Sequence, residues 1–119
     1  MKKILFMTML AYMLASCGSK NILKEPALYT WYDTENATYQ YLKKNTEEDL
    51  AKAMEQYKLV VESPNGARKI APPGMYAEYG YLLVKSGQIE EGLTLLNAEI
   101  ENYPMSKVYI SRIIKQLGK

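Results

Sequence analysis

At 119 residues the chain has room for one domain, and 15 Lys plus Arg against 13 Asp plus Glu give a formal charge of +2. The absence of histidine and the single cysteine exclude zinc-site spacings, a disulfide framework, and any triad or dyad built on a histidine base. Both surplus positives, Lys2 and Lys3, lie in a stretch that reads as an export signal, so the processed chain is formally neutral and no basic face for nucleic acid is expected.

Met1–Lys3 is short and positive, and Ile4–Leu14 is apolar apart from Thr8. As a helix that run rises about 16 Å, roughly half of a hydrocarbon core, which is too short to span and suits the apolar part of a signal peptide. Leu14-Ala15-Ser16-Cys17 follows: an aliphatic residue, two small ones, then the cysteine. Small side chains admit a peptidase to the backbone, and a thiolate is the natural nucleophile for alkylation.

This tetrad resembles the bacterial lipoprotein signal. The resemblance implies residues 1–16 as a signal peptide cut between Ser16 and Cys17, a diacylglyceryl thioether on Cys17, and a fatty acyl group such as palmitate on the freed amine. Two or more acyl chains anchor stably, at ~0.8 kcal/mol per buried CH₂. The expected setting is the cell envelope, with the membrane held through covalent lipid and not spanned. Gly18 stands where an aspartate commonly retains lipoproteins in an inner membrane, so in a Gram-negative cell the outer membrane facing the periplasm is favoured. Residues 17–27 read as the lipidated cysteine and a polar tether with a reach of at most ~35 Å.

Residues 28–119 read as an all-α domain of about five helices. Asp33 or Thr34 can cap a first helix running to about Lys44. Thr46 caps a second, with Asp49 three residues on and Glu47 and Glu48 in its first turn. That second helix places Leu50, Ala53, Met54, Tyr57, Val60 and Val61 on one stripe. Ser63-Pro64-Asn65-Gly66 stops it. A third starts near Gly74 or Met75 with Tyr76, Tyr79, Leu82 and Leu83 inward, and Gly87 supplies the left-handed residue beyond its end. A fourth runs from Gln88 to Tyr103 with Ile89, Leu93, Leu96, Ile100 and Tyr103 inward, closed by Pro104. The last, Ser106 to about Leu117, shows Ile110, Ile113, Ile114 and Leu117. Short connections near Asn45 and Gly87 predict two antiparallel hairpins.

Tyr76, Tyr79-Gly80, Leu83, Gly87, Gly92, Leu96 and Pro104 fall at the spacing of one tetratricopeptide repeat, which the third and fourth helices resemble. In that likeness Gly80 and Gly92 are the small residues that let two helices approach, while Gly92 and Glu99 stand where the repeat usually carries alanine. Ala53, Tyr57 and Pro64 make the first pair a degenerate copy. The spacing from Pro64 to Pro104 leaves about six residues beyond one repeat, placed in Ser63–Gly74. Leu28-Tyr29-Thr30-Trp31-Tyr32, the stretch from Ala71-Pro72-Pro73-Gly74 to Leu83, and Tyr103-Pro104 together resemble a family of small bacterial lipoproteins of unknown function. The resemblance implies a tetratricopeptide-like body and a gene often placed beside one for a curli-export-channel-like lipoprotein. It implies a role in an envelope complex and supplies no catalytic residues.

The residues offer little chemistry. Side chains at Glu47-Glu48-Asp49 fan out by about 100° each, so they do not converge on one ion; they suit a helix N-terminus, as do Glu90-Glu91. Ser63, Ser86 and Ser106 sit at predicted helix ends, no serine precedes a lysine at catalytic spacing, and Gly66 and Gly74 form no phosphate loop. No enzyme activity, cofactor, metal, nucleic acid or small-molecule substrate is expected. Binding is expected instead, from a chain with 11 tyrosines against one phenylalanine, only Tyr12 of them inside the predicted signal. The candidate partner-binding residues are Tyr29, Trp31, Tyr32, Arg68, Lys69, Tyr76 and Tyr79. The function expected is a membrane-anchored adaptor for another envelope protein. An accessory activator of an envelope enzyme and a self-assembling structural lipoprotein stay open as alternatives.

Overall fold

The computed structural model describes residues 26–119, so Ser16, Cys17 and residues 17–25 of the expected tether lie outside the described residues. Five α-helices and one 3-10 turn follow in chain order: α1 Thr34–Lys44, α2 Glu47–Glu62, α3 Met75–Lys85, α4 Ile89–Asn102, the turn Pro104–Ser106, and α5 Lys107–Leu117. Among the described residues there is no strand, and the all-α expectation holds.

Each helix end has a local cause. Asn45 takes the left-handed conformation (φ 52°), and its N–H donates to the Tyr41 carbonyl, ending α1 within a two-residue link. Thr46 then caps α2, its hydroxyl accepting from the Asp49 N–H at 3.1 Å and donating to the Asp49 carboxylate at 2.6 Å. Gly87 (φ 91°) closes α3 with two backbone bonds, Gly87 N–H to Val84 and Gln88 N–H to Leu83, which is the Schellman arrangement. Asp33 precedes α1 without capping it; its carboxylate accepts from Asn36 instead. Pro104 closes α4 as expected and also opens the 3-10 turn that leads into α5.

Consecutive helices pack on one another in a row. Thr38 meets Tyr57, and Lys44 faces Asp49, so α1 and α2 are antiparallel. Gly80 lies against Leu95 and Leu96 while Val84 lies against Gly92, so α3 and α4 are antiparallel too.

The core has two parts. Ala37, Ala53, Tyr57, Val60, Ala71, Met75, Tyr79 and Leu83 join the first three helices. Ala77, Leu96 and Ile110, with Leu93, Ile100, Ile113, Ile114 and Leu117 half-buried around them, fasten α5 to the second hairpin. Burying such side chains contributes roughly 1.5–3 kcal/mol each before entropy is subtracted. One inward assignment fails: Ile89, the first residue of α4, is 55% exposed, because the first turn extends past the end of α3.

The connection Ser63–Gly74 is not a surface insertion. It delivers Ala71 and Pro72 into the core, both fully buried. The Tyr103 hydroxyl donates to the Ala71 carbonyl at 2.5 Å, and the Gly74 N–H donates to Glu99 at 2.8 Å. At its other end the Ala67 and Arg68 N–H groups donate to the carbonyls of Ala27 and Leu28.

Candidate docking face

Residues 27–33 run back along the 63–70 connection as a strap. Besides the two backbone bonds from Ala67 and Arg68, the Tyr32 hydroxyl donates to the Ser63 carbonyl, and the Asp33 N–H donates to Gln56 Oε1 at 3.1 Å. Gly66 permits this approach, since a Cβ there would collide with the Leu28 carbonyl and the Tyr29 Cα. Tyr29, Trp31, Tyr32, Arg68 and Lys69 are therefore carried on one block, with Trp31, Tyr32, Arg68 and Lys69 exposed. Tyr32 (φ 49°) and Lys69 (φ 54°) both hold left-handed backbone, a strained choice for residues with a Cβ. The other two candidates sit on α3. Tyr79 is 6% exposed inside the first core cluster and Tyr76 packs half-buried against the same cluster, so the Tyr79 ring serves the interior.

Two clefts open along the helices. The larger, about 690 Å³, lies between α3 and α5, with Ala77, Tyr81, Ile110, Ile113 and Leu117 on its walls and Glu99 among its borders. The smaller, about 480 Å³, is bounded by Trp31, Thr34 and Thr38 at α1 and by Tyr57 and Met75 beyond them. Glu78 borders both, so they adjoin across α3. Carboxylates outnumber cations here: Glu35, Glu78 and Glu99 stand against Lys85.

Glu99 was visible in the sequence only as a departure from alanine. It is 2% exposed, at the helix α4 position facing the start of α3. Its Oε1 accepts from the Gly74 N–H, so the carboxylate sits at the positive end of the α3 dipole. Its Oε2 is buried and has no hydrogen-bond partner among the described residues. Tyr57, in the second cleft, bonds Thr38 at 2.8 Å. Burial pushes the Tyr57 hydroxyl above its ordinary pKa, the Thr38 bond partly opposing this. No nucleophile–base pair is assembled by Ser86 or Ser106, whose hydroxyls donate to the carbonyls of Leu82 and Tyr103.

Residues 28–113 match the family model described as a domain of unknown function (DUF4810). The chain belongs to that family. The matched span begins within the strap and ends within α5, and so includes the whole 63–74 connection, the second cleft and most of the first, whose wall continues to Gln116 and Leu117. Neither a curated protein nor a solved structure matches the chain. No described helix is long and apolar enough to cross a membrane.

Proposed function

We propose that this chain is a membrane-anchored lipoprotein whose helical body acts as a protein-binding adaptor or scaffold in a bacterial envelope complex, without catalysis. The anchor rests on Leu14-Ala15-Ser16-Cys17 following an apolar run of signal-peptide length. The observation that carries the docking role is the pair of adjoining clefts joined at Glu78, with Trp31 still 49% exposed beside the second. A large aromatic ring at the rim of an open trough is the kind of side chain that dominates interfaces once desolvated. The fifth helix supports the reading as well. It packs mainly on α4, which caps the second hairpin and leaves the α3 side of the groove open.

Two measurements test this. Intact mass of the protein purified from native membranes should show a chain beginning at Cys17 and carrying diacylglyceryl and acyl groups. An unmodified Cys17 would remove the anchor. Chemical cross-linking in the native envelope, followed by affinity capture, should return one reproducible partner protein; the monomer alone in repeated trials would remove the adaptor.

A further inference from the structure

The chain buries two carboxylates among its described residues, and they are treated differently. Asp49 is used fully, accepting from the Thr46 hydroxyl and facing Lys44 Nζ at 3.8 Å. Glu99 is half used. Oε1 holds the Gly74 N–H, while Oε2 is an acceptor without a donor in a place water reaches poorly. A buried acceptor in that condition is unfavourable until a donor arrives, and the strongest donor for a carboxylate is a cationic one.

The surroundings of Glu99 define that donor further. The cleft it borders is walled by Ala77, Ile110, Ile113 and Leu117, with the Tyr81 ring at its side, so most of an occupant must be apolar. Glu78 adds a second negative charge at the seam with the neighbouring cleft, and Glu35 a third beyond it. Lysine and arginine combine an apolar stem with a charged head, which fits apolar walls ending on a carboxylate. Two adjoining clefts also accommodate a longer object than one side chain.

We propose that the α3–α5 cleft is a docking site for an extended segment of a partner protein, in which a lysine or arginine head bonds Glu99 Oε2, which is buried in the free protein and turns outward to meet it without breaking a hydrogen bond, while its neighbours continue past Glu78 toward Trp31. The proposal rests on the adaptor reading and names the chemistry of its partner.

The test uses the full-length lipidated chain in nanodiscs of zwitterionic phosphatidylcholine, so that cationic peptides are not attracted by the lipid. The probes are three pools of octapeptides, identical in mixed Ala, Leu, Ser and Tyr flanks, with lysine, norleucine or glutamate fixed at the centre. The lysine pool should be retained on the order of tenfold more than the other two. Glu99→Gln preserves side-chain volume and the acceptor for Gly74, and should reduce that preference to about twofold or less. Glu78→Gln alters an exposed residue and should weaken the preference with the fold intact, which covers the case in which Glu99→Gln fails to fold. Equal retention of the three pools, or a lysine preference unchanged in both variants, overturns the proposal. Envelope cross-linking that captures a partner while the pools are equal overturns this inference alone; a lysine preference without any captured partner counts against the adaptor instead.

Discussion

A Cβ added to Gly80 would lie 2.6 Å from the Gly92 carbonyl oxygen, and a Cβ added to Gly92 would lie 2.5 Å from the Gly80 carbonyl oxygen. The two helix backbones therefore touch at this crossing, with no room for a methyl on either side. Glycine to alanine in a helix interior ordinarily stabilises by ~1 kcal/mol. Here the sign should reverse: Gly80→Ala and Gly92→Ala should each cost about 1–3 kcal/mol by forcing α3 and α4 apart. Urea unfolding measures this, and a stabilised alanine variant would refute the close crossing.

Thr46 both accepts from the Asp49 N–H and donates to the Asp49 carboxylate. Thr46→Ala should lower stability by about 1 kcal/mol, and Thr46→Ser should restore most of it because the hydroxyl is what caps the helix.

Tyr103 gives the fold an alkaline limit. Burial, reinforced by the Tyr29 hydroxyl beside it, holds the Tyr103 pKa well above the ordinary tyrosine value. Burial raises Tyr57 and Tyr79 in the same direction. In the unfolded chain these phenols ionise near pH 10, while in the folded chain they keep their protons to higher pH. The unfolded state then binds fewer protons than the native state, so stability falls as pH rises above about 10 and is fully present below it. Urea midpoints should be flat from neutral pH to about 9 and fall beyond 10. Tyr103→Phe should make the fall shallower, and at neutral pH should cost about 1 kcal/mol through the lost bond to Ala71.

Gly66 holds the strap in place. Gly66→Ala should push away Leu28 and Tyr29, breaking the bonds from the Ala67 and Arg68 N–H groups. Hydrogen exchange at those two amides should speed up while the α3–α4 hairpin keeps its protection.

Much of the architecture was legible because its causes are local. Thr46 with Asp49, Gly87 beyond α3, and the apolar stripe on α2 all act within a turn or two of chain, where spacing reports them. The glycine crossing was legible too, because Gly80 and Gly92 sit at the tetratricopeptide spacing. The part that the Ser63–Gly74 connection plays in the core was not legible because its attachments are distant: Tyr103 reaches Ala71 across 32 positions, and Glu99 reaches Gly74 across 25. No periodicity carries that information. The same limit applies to the site. The stripe on α3 placed Tyr79 inward, and it is interior, so it does not belong with the exposed binding candidates, whereas no periodicity told that Tyr32 is 43% exposed on the strap. Glu99 stood out in sequence only as a departure from the repeat's alanine, and its burial follows from the fold.

In the proposed adaptor, the open groove beside α3 meets a partner protein in the envelope. Photo-reactive residues placed singly at Tyr81 and Trp31, which border the clefts, and at Lys58 and Glu101 as exposed controls, test it most directly in living cells. A discrete adduct with one heterologous protein is expected from the two groove positions and none from the controls. Adducts only from the controls, or none from either groove position, would contradict it.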